Sequence, residues 1–307
     1  MLSPHPIWKK EPAMTKYIFL LITAACPFYS LAFEHSFSYL LNTRKKSKNW
    51  HAQTNHLPTS KLQEQFLSLL RKCSVAWQKP ITDQEEIAQM LQCLTLLKHF
   101  LPHEKFSEYQ LQDVLDATID SAQILSIPEE CHPFAVQPFL DTDYFLKILT
   151  KNSRTVTPEN LLKKHLKTQT ILAINDPFKA LIYWLYLTIT ATTHPKPLRQ
   201  KDRLLNHLIS VIKKDQNSHG YLCAYQVFYA THYGQSSLSK NSRIKEELMH
   251  YLKDVKQTPL SLTAHLFLAL KLIGQETTPQ GQILAARLYN AEPKNPFELY
   301  LLTAACT

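Results

Sequence analysis

Glycine is scarce in this sequence. Four glycines occur among 307 residues, and all of them lie after residue 219. Loops that hold phosphate groups need glycine because their backbone approaches the ligand closely, in conformations that other residues avoid. The sequence has no G-x-G-x-x-G, G-x-x-x-x-G-K-S/T or G-x-S-x-G motif. These absences argue against Rossmann enzymes, P-loop NTPases, protein kinases and most α/β-hydrolases, and no nucleotide cofactor is expected.

Metal-ligand spacings are also missing. The sequence contains six cysteines and 14 histidines, but it has no C-x-x-C and no H-E-x-x-H motif. His99 and His103 lie four residues apart, but a proline between them ends the predicted helix. His232, His250 and His265 have no carboxylate placed to complete a ligand set. We therefore predict no metal site and no stoichiometric cofactor.

Long apolar runs are absent, and the chain has no stretch of the roughly 20 residues that span a bilayer. A nine-residue apolar run, Tyr17–Ala25, follows Lys16, and Ser30-Leu31-Ala32 places small residues where a signal peptidase cleaves. These features predict that residues 1–32 are a signal peptide, with Met14 as an alternative start. We therefore expect a periplasmic or secreted protein.

A second route of export is also open. Thr23-Ala24-Ala25-Cys26 resembles the lipobox of bacterial lipoproteins, although Thr23 occupies a position where that motif has an aliphatic residue. The resemblance implies that Cys26 becomes lipidated and anchors the protein to a membrane.

The remaining cysteines form no recognisable disulfide framework. Cleavage after Ala32 leaves five of them, an odd number that cannot all pair within the chain. Cys73 and Cys93 fall on consecutive predicted helices at different distances from the turn between them, which is unfavourable for a disulfide. We expect buried free thiols, while one bridge in an oxidising compartment is left open. The five are Cys73, Cys93, Cys131, Cys223 and Cys306.

The charge of the chain is positive but dispersed. Removing residues 1–32 leaves 31 basic and 24 acidic residues, which suits contact with an anionic surface such as lipid head groups. The one dense basic run, Arg44–Lys48, falls in a segment, 33–56, that we predict to be flexible. No basic stripe is interleaved with aromatic residues, so we expect no nucleic-acid partner.

Hydrophobic residues recur at helical spacing almost everywhere. Continuous stripes run from Leu62 to Trp77, from Ile87 to Leu101 and from Leu111 to Leu125. The pattern predicts an all-α protein. Helices are expected near 61–77, 84–101, 107–125, 144–151, 159–173, 178–192, 200–214, 221–233, 242–254, 260–273, 279–290 and 296–305.

Five predicted helix starts share one sequence pattern. A residue with a capping side chain precedes a proline, and the N–H group that proline lacks would have no partner in the first turn of a helix. We predict Gly234 and Gly274 to end helices in the left-handed conformation. The capping pairs are Thr157-Pro158, Asp176-Pro177, Thr258-Pro259, Thr278-Pro279 and Asn295-Pro296.

Two kinds of helix alternate in the second half of the chain. The helices that begin near Phe178, Tyr221, Leu260 and Phe297 are apolar on nearly all sides, whereas those between them carry a single apolar stripe. This alternation predicts a two-layer stack of antiparallel helical hairpins, either an α-solenoid or a closed α/α toroid. An irregular helical bundle is the alternative.

The longest segment that does not fit a helical pattern is 127–143, which contains three prolines. We predict that it connects an N-terminal helical subdomain, 57–126, to a C-terminal hairpin subdomain, 144–307. Long irregular connections often carry binding residues, and Glu130, His132, Asp141 and Asp143 are therefore the candidate ligand-binding residues. The alternative is a structural crossover in which Asp141 or Thr142 caps the next helix.

Two functions are compatible with these observations, and no catalytic residue is identified. The first is a non-catalytic binding or scaffold module of the bacterial envelope or cell exterior, with a protein or envelope component as partner. The second is an α/α-toroid enzyme that acts on a carbohydrate. For that second function the apolar helices offer aromatic side chains for sugar stacking: Tyr183, Trp184, Tyr186, Tyr225, Tyr229, His232 and Tyr233.

Overall fold

The computed structural model describes eight stretches of the chain, which belong to one compact unit spanning Asn55–Thr307. The predicted signal peptide, the lipobox and the basic segment lie outside the described residues, as do Cys131, Glu130 and His132. The described residues are 59–77, 83–124, 133–150, 167–193, 200–238, 242–254, 258–289 and 291–307.

Every regular element in these stretches is a helix, which confirms the all-α prediction. The thirteen described helices are α1 Thr59–Trp77, α2 Gln84–Phe100, α3 His103–Glu108, α4 Leu111–Ile124, α5 Pro133–Thr150, α6 Thr168–Leu172, α7 Pro177–Thr193, α8 Lys201–Ile212, α9 Gln216–Ala230, α10 Arg243–Asp254, α11 Leu260–Leu272, α12 Pro279–Tyr289 and α13 Pro296–Ala305.

The two predicted kinds of helix differ in burial as their sequences indicate. In α11 every residue from Leu262 to Leu270 is buried, and in α13 every residue from Tyr300 to Ala305 is buried. In α10 only Leu248, Tyr251 and Leu252 are buried, on one side of the helix. An all-apolar helix must be covered on most sides, whereas a one-stripe helix needs cover on one.

Six of the mostly buried helices pack in succession. Helix α2 packs against α5, α5 against α7, α7 against α9, α9 against α11, α11 against α13, and α13 against α2. Five of them also carry a partner, since α4 packs on α2, α8 on α7, α10 on α9, α12 on α11 and α1 on α13. The N-terminal helices α1 and α2 therefore pack directly against the last helix of the chain.

Three of the predicted caps are present. The side-chain oxygens of Asn295, Asp176 and Thr278 accept hydrogen bonds from backbone N–H groups three residues later, at 2.8, 2.7 and 3.3 Å. The hydroxyl of Thr258 instead lies 2.7 Å from the hydroxyl of Thr263 and does not cap α11. Thr157 lies outside the described residues. Gly234 and Gly274 adopt the predicted left-handed conformation, with φ of 95° and 63°.

The prediction of an irregular connection is wrong from Pro133 onward, because α5 begins there and continues through Asp143 to Thr150. Pro133 is tolerated in the first turn, where its missing N–H has no partner to lose. Pro138 lies inside the helix and removes one hydrogen bond. The buried residues on both sides of it, from Val136 to Leu146, pack against α2 and α7, and this packing outweighs the unfavourable proline.

Two further boundaries differ from prediction. The helix expected at 107–125 is divided into α3 and α4, with Gln110 between them at a φ of 56°. Helix α9 begins at Gln216, five residues before the expected start at 221, because the Asp215 carboxylate accepts a hydrogen bond from the Ser218 N–H at 2.8 Å. Of the helix expected at 159–173, residues 159–166 lie outside the described stretches, and α6 covers Thr168–Leu172.

Four of the five cysteines are described, and each is a buried free thiol, as predicted. Cys73 lies 3.2 Å from the Thr303 hydroxyl, and Cys93 donates to the Tyr300 carbonyl at 3.3 Å. Both thiols thus help to pack α1 and α2 against α13. Among the described stretches, including α7, no helix has the length and apolarity that crossing a membrane requires.

Candidate functional site

An acidic side chain and a tyrosine meet between α5 and α9. The Asp141 carboxylate accepts a hydrogen bond from the Gln137 amide at 2.9 Å and one from the Tyr229 hydroxyl at 3.5 Å. Both α5 and α9 pack against α7, which contributes Trp184, and its ring lies 6.3 Å from that of Tyr229. Asp141, a half-buried residue, therefore bonds to side chains of α5 and α9, and Trp184 of α7 packs on the tyrosine that it bonds to.

Glu85, in the first turn of α2, belongs to the same cluster. Burial and, to a smaller extent, the nearby Glu85 carboxylate raise the pKa of Asp141 to about 7, although the bonds from Gln137 and Tyr229 oppose the shift. Burial, together with the negative charge of Asp83, raises the pKa of Glu85 to about 7. Both shifts are thus upward, and in each case a second acid adds to the effect of burial. Two half-buried acids that titrate near neutral pH are suited to exchange protons with a ligand.

Three tyrosines extend along one side of α9. Tyr221, Tyr225 and Tyr229 are spaced four residues apart and so share a helix face. Their rings are stacked, with centroid separations of 6.4 and 6.3 Å. Tyr221 and Tyr225 are half-buried, and the Tyr221 hydroxyl lies 2.7 Å from the Ser261 hydroxyl of α11. We call these three side chains the tyrosine ladder.

His265 of α11 lies beside the tyrosine ladder. Its ring is fully buried and stands 5.3 Å from the rings of both Tyr221 and Tyr225. Nδ1 lies 2.7 Å from the Ser261 carbonyl oxygen, to which it donates, and Nε2 has no hydrogen-bond partner within the described stretches. Burial lowers the pKa of His265 to about 4, so the ring is neutral at neutral pH and Nε2 is an acceptor.

The turn after α9 completes the cluster on the Asp141 side. His232, Tyr233 and Gly234 are three consecutive residues with positive φ, at 47°, 52° and 95°. For residues with a side chain this conformation costs roughly 1–2 kcal/mol each. The turn places His232 Nδ1 3.1 Å from the Tyr144 hydroxyl, and the Tyr144 ring lies 4.9 Å from that of Tyr229. Strained residues of this kind often accompany binding sites.

Of the four predicted ligand-binding residues, the structure describes Asp141 and Asp143, and it does not bring these two together. Asp141 lies in the cluster, whereas Asp143 is fully buried in α5. Two residues apart on a helix point in nearly opposite directions, so Asp141 and Asp143 cannot face one ligand. Glu130 and His132 lie outside the described residues, and their role stays a prediction.

Several residues of the cluster escaped the sequence analysis. The i, i+4, i+8 spacing of the tyrosine ladder is a signal that could have revealed Tyr221. Glu85 follows an N-cap and looks like an ordinary carboxylate of a helix start. His265 lies in an apolar helix, and no polar or charged residue next to it in the sequence marks it as part of a site. Their convergence depends on how α2, α9 and α11 pack.

A second group of potential ligand residues is formed by His219 and Cys223 of α9 with Glu247 of α10. One ligand atom from each lies within 4.8 Å of the other two. His219-x-x-x-Cys223 is the spacing that could have indicated it, since both residues share a helix face. This group stands against the prediction of no metal site, which rested on the missing C-x-x-C and H-E-x-x-H motifs.

Comparison with protein-family models, with curated proteins and with solved structures gives no match to this chain. The class of protein is therefore defined by the fold alone: an all-α protein with a tyrosine- and carboxyl-lined cluster among its buried helices. Function is inferred from the geometry of that cluster.

Proposed function

We propose that α2, α5, α7, α9, α11 and α13 form the inner layer of a closed α/α toroid. The packing of α13 against α2 supports closure, because an open solenoid has no contact between its first and last inner helices. The five helices that pack on these inner helices supply the outer layer. In this arrangement Asp141, Tyr229 and Tyr225 face the axis, where side chains from non-adjacent helices meet.

We infer further that the protein works by binding, and that the ligand is a carbohydrate of the cell envelope or exterior. The main observation in support of this proposal is the tyrosine ladder, which ends at the Asp141 carboxyl group. Sugar rings pack their apolar faces on aromatic rings while their hydroxyls bond to carboxyl and hydroxyl groups, and this cluster offers both. Tyr221 and Tyr225 are only half-buried residues, which supports access of a ligand to the ladder.

The location belongs to the same proposal. Residues 1–32 would direct export and be removed, which leaves a periplasmic or secreted protein, or a lipoprotein held at Cys26. Mass spectrometry of the native protein decides between them. An N-terminus at Phe33 supports the signal peptide, a lipidated Cys26 supports the anchored form, and an intact Met1 or Met14 contradicts export.

A second candidate function is catalysis on the same class of ligand. The observation in its favour is that Asp141 and Glu85 both have a pKa of about 7, close to neutral pH. A carboxylic acid with such a pKa can act as a general acid, and a pair of carboxyl groups is the machinery of glycoside cleavage. Asp141 and Glu85 would then share the acid and base roles.

The test is a screen of the mature protein against envelope oligosaccharides by calorimetry, with product analysis of each mixture. We expect binding that Asp141→Asn or Tyr225→Ala weakens about tenfold, the effect of losing one contact of about 1.4 kcal/mol. Asp113→Asn, an exposed carboxylate of α4, is the matched control and should bind normally.

Product analysis separates the two candidate functions. Binding without product supports the binding module. Product formation that disappears in Asp141→Asn and Glu85→Gln supports the enzyme. Binding that neither Asp141→Asn nor Tyr225→Ala affects, or no binding to any oligosaccharide, contradicts the proposed site.

A further inference from the structure

The second cluster lies on the other side of α9 from the tyrosine ladder. His219 and Cys223 are each two residues from a ladder position, and two residues apart on a helix means nearly opposite directions. This side of α9 packs against α10, which contributes Glu247. His219 Nε2 lies 3.6 Å from Glu247 Oε1, and the Cys223 thiol is fully buried beside them.

Close packing of the two helices assembles the cluster. Gly220 lies between the two α9 residues, and a Cβ atom there would overlap the Tyr251 ring of α10. The Tyr251 hydroxyl donates to the Gln216 carbonyl at 3.0 Å. Glu247 and Tyr251 are four residues apart on α10, so the contact that seats Tyr251 also turns Glu247 toward Cys223.

We propose that His219, Cys223 and Glu247 bind a divalent cation of the zinc class. Thiolate, imidazole and carboxylate are the three ligand types that Zn²⁺ takes in proteins. In a tetrahedral zinc site neighbouring ligand atoms are roughly 3.3–3.8 Å apart, given Zn–ligand distances of about 2.0–2.3 Å. The three atoms here lie within 4.8 Å of one another, so small side-chain rotations bring them to that geometry.

The nitrogen that would bind the cation is not engaged outside the cluster. Among the described residues, His219 Nε2 forms no close hydrogen bond, and its contact at 3.6 Å is with Glu247, which is itself a proposed ligand. Cys223 would lose its proton on binding, as zinc-bound cysteines do. Three protein ligands leave a fourth position for water or a second molecule.

Lys213 competes with the proposed cation. Its ammonium group forms an ion pair with Glu247, and 41% of its side chain is exposed. Binding would displace this ammonium group into solvent. A cluster that serves only as an ion pair with a buried thiol would depend on Lys213, whereas a cation site is hindered by it. The two roles therefore predict opposite effects of removing Lys213.

Titration of the full-length protein with Co²⁺ tests the proposal, because a cobalt–thiolate bond gives a charge-transfer absorption that imidazole and carboxylate do not. We expect one Co²⁺ per chain with this absorption, and displacement by one Zn²⁺. Cys223→Ala should abolish the absorption, and Glu247→Gln should weaken binding about tenfold or more. Lys213→Met should tighten it.

Controls keep the outcome interpretable if a variant fails to fold. Cys306→Ala removes a buried thiol elsewhere in the chain and should leave the absorption intact. The half-buried His219 can be replaced by Gln, and the helical circular dichroism of each variant is compared with wild type. Co²⁺ binding without thiolate absorption, equal binding by Cys223→Ala, or weaker binding by Lys213→Met would overturn the proposal.

Discussion

Two carboxyl groups beside α9 have pKa values that are shifted in opposite directions. Asp141 faces the tyrosine ladder, and its pKa is raised to about 7 by burial and by the Glu85 carboxylate. Glu247 faces the other side of the helix, and its pKa is lowered to about 2 by His219 and Lys213, against the effect of burial. Both are partly buried, so burial alone does not decide the charge of an acid here.

Asp141 and Glu247 differ in the charge of the side chains next to them. Glu247 has Lys213 and His219 within ion-pair distance, whereas the charge that acts on Asp141 is that of a second acid, Glu85. The side of α9 that faces α10 is therefore suited to hold a fixed negative charge and, as we propose, a metal cation. The side that faces α5 is suited to acids that gain and lose protons, which is what a binding or catalytic site for polar ligands uses.

Removing the ring of Tyr229 should have the largest effect on stability. Tyr229 is buried against Trp184 and Tyr144 and bonds to Asp141. Tyr229→Ala should lower the free energy of unfolding by about 3–5 kcal/mol, as for other large aromatic truncations. Tyr229→Phe, which removes only the hydroxyl, should cost about 1 kcal/mol. Urea denaturation measures both, and equal losses would show that the ring is not packed as described.

The turn after α9 should be the next most sensitive position. Gly234 has a φ of 95°, and a Cβ atom there would overlap the His99 ring. Gly274 also has positive φ but faces open space, so it serves as a matched control. We expect Gly274→Ala to cost about 1 kcal/mol, and Gly234→Ala to cost a further 1–3 kcal/mol for overpacking. Thermal unfolding distinguishes them, and a Gly234→Ala variant no less stable than Gly274→Ala contradicts the close contact.

Stability should depend on pH in opposite directions for the two carboxyl groups. Between about pH 4 and pH 7 the unfolded chain releases the Asp141 proton while the folded protein keeps it, so this group makes the protein less stable as pH rises. The free energy of unfolding of Asp141→Asn should therefore rise by roughly 2 kcal/mol relative to that of wild type as the pH is raised from 4 to 8, allowing for partial exposure.

Glu247 should behave in the reverse way. Its lowered pKa stabilises the folded protein above about pH 4.5, and that stabilisation is lost as pH falls toward 2. Glu247→Gln should be roughly 2 kcal/mol less stable than wild type at pH 7, with the difference shrinking below pH 4.5. Urea denaturation across this pH range measures both variants, and parallel pH profiles would refute the contrast.

The smallest effect concerns a helix cap on the tyrosine-ladder side. Asn295 Oδ1 accepts from the Glu298 N–H, and the Glu298 carboxylate accepts from the Lys294 N–H at 2.8 Å. Asn295→Ala should cost about 1 kcal/mol. Thr258→Ala removes a residue that the same sequence pattern marks as a cap but that makes no cap bond, and it should cost less. Thermal unfolding that ranks the two in reverse order contradicts this assignment.

These positions also show how far the sequence can be interpreted. Hydrophobic periodicity predicted most helices because a stripe of buried residues is a local property, and Asn295 and Asp176 cap as their motifs indicate. It failed at Pro133–Asp143, where three-dimensional packing of α5 against α2 and α7 overrides the local preference of proline.

The candidate site was harder to predict because its members are far apart in the chain. Asp141 was identified, but for its place in a supposed loop. Its raised pKa depends on burial and on Glu85 of α2, neither of which has a local sequence pattern. The same is true of Glu247, which meets Cys223 only because Gly220 lets α10 approach.

The most direct test of the central claim, that α9 separates a protonatable acid from a fixed negative charge, is a pH titration of the side-chain carboxyl carbons by NMR. Asp141 and Glu247 are assigned from the spectra of Asp141→Asn and Glu247→Gln. The structure predicts that Asp141 titrates at about 7 and Glu247 at about 2. Two carboxyl groups that both titrate near their ordinary values of about 4 would contradict it.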